Sequence, residues 1–135
     1  MPERSAVMEP TTIPIATETD LLTCREEART LAASLGFSPV DQVRIATAVS
    51  EIVRNVLSYA ARGTMTMIPT PQGALTIVIE DQGPGIPDVE RALQDGFSSG
   101  KSLGIGLPGS RRLMDEFRIT SQVNKGTRVE MVKRL

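Results

Sequence analysis

Histidine is absent from this chain of 135 residues. That absence excludes Ser-His-Asp and Cys-His catalysis, histidine metal sites and a phosphohistidine relay within these residues. The single cysteine, Cys24, excludes an internal disulfide and a thiolate metal site. Set among apolar positions at helical spacing, it reads as a small buried side chain. Aromatic residues make up only 3%, too few for a surface that stacks the bases of a single strand. Neither sign of charge is in excess: 15 Lys and Arg against 16 Asp and Glu leave a formal net charge of -1. No general attraction to nucleic acid or to an anionic membrane is therefore expected. Long apolar runs are missing too, and stretches such as Ile77-Val78-Ile79 are far too short to span a bilayer. The opening MPERSAVMEP lacks the apolar core of a signal peptide. The expectation is a soluble cytoplasmic protein.

What is present is enough for one domain with one core, filled largely by Leu, Ile, Val and the six methionines. Residues 1–10 read as a frayed terminus. Thr11 to Thr17 alternates weakly as a strand, with Pro14 pushing it to a sheet edge. Thr19 or Asp20 can cap a helix that runs to about Leu35, with Gly36 as its stop. Ser38-Pro39 is a cap followed by a first-turn proline, and Asp41 adds an acid to that turn. The helix so started reaches about Ala60 and carries one apolar stripe: Ile45, Val49, Ile52, Val53, Val56 and Ala60.

Gly63 closes that connection. Thr64 to Ile68 and Ala74 to Glu80 form a hairpin around a Pro-Gly turn, and Asp88 can cap a short helix through Gln94. Asp95 to Leu103 is a small, polar, mobile loop. Gly106 or Leu107 opens another helix, with Pro108 tolerated in its first turn. Arg118 to Val123 and Thr127 to Val132 make a last hairpin around Asn124-Lys125-Gly126. Strands and helices do not alternate. The order predicts an α+β, two-layer α/β sandwich: a mixed, mostly antiparallel sheet with helices on one face.

Three short clusters carry the chemistry. In EIVRN, Glu51 and Asn55 share a helix face at the edge of the apolar stripe. An acid and an amide at this spacing usually mark a solvated face, but this pair sits where its side chains are partly desolvated. Asparagine is also a poor helix former, so its place in mid-helix wants a reason. An amide oxygen suits Mg²⁺, and a partly buried glutamate suits a general base for a hydroxyl nucleophile. In DQGPGI, Asp81 ends an apolar run and is followed by Gly83 and Gly85. The plain reading is a surface turn. The functional one is a carboxylate that accepts from an adenine amine, with glycines that let the backbone pass close over the ring. Thr127 is a hydroxyl that can share that reading through water.

GIGLPG, Gly104 to Gly109, matches the dinucleotide pattern G-x-G-x-x-G but lacks its context. Ser98-Ser99-Gly100-Lys101-Ser102 precedes it where a buried strand is needed, and no βαβ unit follows. A Rossmann site is excluded. The mechanism that survives is phosphate binding at a glycine-rich helix start. Lys101 can add a charge to a terminal phosphate, or be an ordinary solvated loop lysine.

Taken in order, the three clusters resemble the GHKL (Bergerat-fold) superfamily of ATPases and kinases, over roughly Val40 to the last residue. Glu51 and Asn55 look like its N box, and Asp81, Gly83 and Gly85 like its G1 box. Gly104 and Gly106 look like its G2 box, and Gly126-Thr127 like its closing Gly-Thr. The stretches SEIVRN, EDQGPGIPD and DGFSSGKSLGIGLPGSRRLMDEF are most similar to those of the small serine/threonine switch kinases of the stressosome. The resemblance implies ATP and Mg²⁺ as cofactors, with Glu51 as catalytic base and Asn55 as metal ligand. It implies a nucleotide held by Asp81, Gly83, Gly85 and Ile86 at the base, and by Lys101, Gly104, Ile105, Gly106 and Leu107 at the phosphates, with Thr127 assisting. It further implies STAS-domain substrates and a downstream output protein activated by binding. Two alternatives stay open: an anti-sigma factor with serine kinase activity, and a non-catalytic, nucleotide-gated binding switch.

Overall fold

A computed structural model of the chain describes residues 9–86, 93 and 106–135. The predicted helix from Asp88 to Gln94, apart from Leu93, and the loop from Asp95 to Leu103 lie outside the described residues. So do residues 1–8 of the expected frayed terminus.

The elements run β1 (Thr11–Ile15), α1 (Glu18–Ser34), α2 (Pro39–Tyr59), β2 (Gly63–Thr70), β3 (Ala74–Asp81), α3 (Gly106–Leu113), β4 (Glu116–Gln122) and β5 (Gly126–Arg134). The strands form one five-stranded sheet in the order β1-β2-β3-β5-β4. Every described pairing is antiparallel, so the parallel component expected of a mixed sheet is not found among the described residues. β1, with Pro14, lies at an edge, where a residue without an N–H does least harm.

The helices cover one face. Alternate residues of each strand point into the same core: Ile15 from β1, Met65 and Met67 from β2, Leu75, Ile77 and Ile79 from β3, Val129 and Met131 from β5. The predicted stripe of α2 meets them, with Ile45, Val49, Ile52, Val53 and Val56 all buried.

The first helix starts earlier than expected. Thr17, rather than Thr19 or Asp20, is its cap, and it makes a capping box with Asp20 at N3. Strand β1 must end before this cap, hence at Ile15. The backbone N–H groups of Ala16 and Thr17 donate to Asp20 at 2.8 and 2.9 Å and hold its carboxyl below the usual carboxylate range. Cys24 is fully buried in α1, as its setting implied. Burial, with the nearby charge of Asp20, pushes its thiol up to about 11. Its thiolate is the reactive form. Iodoacetamide at neutral pH should therefore label Cys24 only after unfolding, which mass spectrometry with and without denaturant will read.

Helix α2 ends at Tyr59, close to the expected Ala60, and β2 begins at Gly63, one residue before the expected Thr64. Ala61 adopts φ +71° and donates to Val56 O at 2.9 Å. A left-handed conformation strains any residue with a Cβ. Ala61→Gly should stabilise the fold by about 1 kcal/mol, read as a higher urea midpoint at unchanged slope.

Candidate nucleotide and phosphotransfer site

The two halves of the site belong to different layers. Glu51 and Asn55 project from α2, and the glycine-started α3 packs against it. Glu51 is only 6% exposed, deeper than its place at the stripe edge suggested. Its Oε1 accepts the backbone N–H of Gly106 at 3.0 Å, and its Oε2 pairs with Arg54 one turn along. A buried carboxylate has both oxygens satisfied, one by the first residue of a helix and one by a guanidinium. The structure thus joins Glu51 of α2 to the glycine that opens α3, across 55 residues of chain. Asn55 is half-buried on the same helix face.

Gly106 has φ +68°, and a Cβ there would make only an ordinary contact with Pro108 Cδ at 3.7 Å, so its backbone conformation rather than crowding calls for glycine. Leu107 is buried in the core, which leaves only its backbone to offer a ligand. Lys101, Gly104 and Ile105 lie outside the described residues. The far end of α3 is pinned by Lys133 on the covered face of β5. Its Nζ donates to Leu113 O at 3.2 Å and stands 3.7 Å from carboxylate oxygens of both Asp41 and Asp115. A cation at a helix C-terminus is favourable, and this one also holds α3 against the start of α2.

At the sheet end, Asp81, Thr127 and Ser121 form one row across β3, β5 and β4 on the covered face. Asp81 Oδ1 accepts the N–H of Gly83 at 2.9 Å, which fixes the carboxylate's orientation. The glycines that follow are held in close packing. A Cβ on Gly83 would lie 2.5 Å from Ala60 Cβ, and one on Gly85 would run into the carbonyl of Gln122. They let the loop lie against the end of α2 and the last hairpin. The hairpin clasps the loop further: Asn124 N–H donates to Pro84 O at 2.7 Å, and Ile86 N–H donates to Ser121 Oγ at 2.7 Å. The Ile86 side chain is partly buried and packs on the core. A cavity of about 300 Å³ opens at these strand ends, lined by Asp81, Ser121 and Thr127 with Glu80, Lys125 and Arg128 among others. That size is at the low end for small-molecule sites.

Arg54, Ser121 and Lys133 were missed by sequence reasoning. Arg54 had a signal in its spacing to Glu51. Lys133 had one in its parity with Val129 and Met131 on β5. Ser121 had none without the strand register.

The donor set fits a purine nucleotide: a fixed carboxylate with hydroxyls at one end, a helix-start N–H at the other. No group of three or more His, Cys, Asp or Glu among the described residues stands ready for a metal. Mg²⁺ here would draw its ligands mainly from phosphate and water, with one protein amide, a set that this ion accepts.

Residues 15–133 match the histidine kinase-like ATPase domain family, and the chain belongs to it. It is 45% identical over 122 residues to the serine/threonine-protein kinase RsbT of Bacillus subtilis, covering 88% of this chain and 92% of that one. It is 34% identical over 109 residues to an anti-sigma F factor of Caldanaerobacter subterraneus, covering 76% of each. Among solved structures, the RsbU and RsbW domains of Rv1364c from Mycobacterium tuberculosis share the fold, at a TM-score of 0.69 and 22% identity. That likeness covers 94% of this chain and 32% of the other. The SiaB-SiaC complex of Pseudomonas aeruginosa matches at 0.63 and 11% identity, covering 99% of this chain and 96% of that one. The GHKL resemblance and the α+β sandwich therefore stand, and the chain is a serine/threonine-protein kinase.

Proposed function

We propose that this kinase moves the γ-phosphate of Mg-ATP to a serine or threonine of a STAS-domain protein in a stressosome. Release from that partner would free it to bind and activate a downstream output protein. It would work in the cytoplasm, with neither nucleic acid nor membrane as partner; among the described residues no helix is long and apolar enough to cross a membrane. The observation that carries the reading is the contact of Glu51 with Gly106 N–H, which puts the base candidate at the mouth of the helix that would hold phosphate.

In this reading Glu51 gives up Gly106 N–H when phosphate takes that place, and its carboxylate accepts the proton of the attacking hydroxyl. Arg54 keeps the carboxylate at the site. Asn55 would hold Mg²⁺ through its amide oxygen, the ion supplying charge neutralisation at the transferring phosphate. Asp81 would accept from the exocyclic amine of adenine, with Thr127 beside it. Gly106 and the residues just before it, Lys101, Gly104 and Ile105, would serve the phosphates. Transfer of labelled phosphate from Mg-ATP to purified STAS proteins tests this directly, and no transfer to any of them would overturn it.

The anti-sigma F relatives favour a second reading, in which the same kinase holds a sigma subunit. Capture of a purified sigma factor in the presence of ATP would select it.

A further inference from the structure

Ser121 lies one strand beyond Thr127 in the row that begins at Asp81. Its hydroxyl has three partners: Ile86 N–H at 2.7 Å, the Gly126 carbonyl at 3.1 Å and Thr127 Oγ1 at 2.9 Å. A serine hydroxyl carries one proton and two accepting lone pairs. An amide N–H only donates, and a carbonyl only accepts. The Ser121 proton is therefore committed to Gly126, and one lone pair to Ile86. The remaining contact has a single solution, in which Thr127 donates its own proton to Ser121. With its proton spent there, Thr127 has only lone pairs left to show the cleft.

We propose that Ser121 is a positioning residue that sets base specificity: it turns Thr127 into an acceptor beside the acceptor Asp81. This rests on the adenine-nucleotide reading above. Two acceptors side by side match the 6-amino group of adenine. A 6-oxo purine would bring a carbonyl oxygen against them and leave polar groups unpaired, the situation in which hydrogen-bonding sites discriminate most strongly. A serine that merely braced the loop through Ile86 would have no influence on this choice.

The test is the ratio of ATP to ITP affinity, measured by calorimetry on the full chain, since the two nucleotides differ in the 6-substituent and N1 proton alone. Ser121→Ala releases the Thr127 proton, which can then turn toward a 6-oxo group. The preference for ATP should fall about tenfold, the worth of one hydrogen bond of ~1.4 kcal/mol. Ser121→Thr keeps a hydroxyl and should keep the ratio. Thr127→Val should lower the ratio by itself, and adding Ser121→Ala to it should lower it no further. Equal weakening of both nucleotides by Ser121→Ala, with the ratio intact, overturns the proposal and leaves a structural role. Should Ser121→Ala fold poorly, a full ratio in Thr127→Val overturns it equally. Wild-type protein with no preference for ATP over ITP overturns the adenine reading and this proposal together; a preference undiminished in Ser121→Ala overturns this proposal alone.

Discussion

Glu51→Ala is expected to lower phosphate transfer by roughly 10²–10⁴-fold, the usual worth of a positioned general base. ATP binding should survive. In the wild-type structure Glu51 occupies the Gly106 N–H, the group that a phosphate oxygen would take. Removing the carboxylate frees that donor and takes a buried negative charge away from the phosphates, so affinity should hold or rise. The change also leaves Arg54 without its partner, but Arg54 is half-exposed and water can replace the pairing. Transfer kinetics and ATP calorimetry on one preparation separate the two effects. A variant that phosphorylates at the wild-type rate would remove Glu51 from the chemistry. One that loses ATP binding and transfer together would make it a structural brace for α3.

Asp81→Asn should weaken ATP binding by roughly 10–100-fold, the worth of a hydrogen bond to a charged group. The direction follows from Gly83, whose N–H donates to Oδ1 at 2.9 Å. An asparagine must keep its oxygen there, because only an oxygen can accept that proton. Its amide NH₂ then takes the other position and faces the adenine amine, donor against donor. The loss is therefore more than one bond, and a 6-oxo purine, which presents an acceptor, should suffer less. Affinities for ATP and ITP measured on this variant check both points. Unchanged ATP affinity would mean that the base is read elsewhere.

Much of the fold was legible because it follows from local physics. The stripe on α2 repeats at helical pitch, so Ile45, Val49, Ile52, Val53 and Val56 could be assigned to the core before any contact was known. Ser38-Pro39 announced that helix, and Ser38 does accept from Asp41 N–H at 3.2 Å. The misplaced ends have one cause. Thr17, Thr19 and Asp20 are all good caps. Choosing between neighbours depends on where the sheet needs the chain to go.

The site divides in the same way. By itself the sequence determined which side chains were available for chemistry: no histidine, an acid with an amide on one helix face, a carboxylate before glycines, a glycine-opened helix. Those are matters of residue type and short spacing, and a chain carries them whether or not it is folded. Tertiary structure alone decided what each is joined to. It set Glu51 on Gly106, gave Gly83 and Gly85 the task of packing against Ala60 and Gln122, and aligned Asp81, Thr127 and Ser121 across three strands. Ser121 shows the reason most clearly. The direction of the Thr127 proton depends on the pairing of β4 with β5, which brings Ser121 to Gly126 and Thr127, and on the distant Ile86 amide meeting the same hydroxyl, and residue type and short spacing do not encode that meeting.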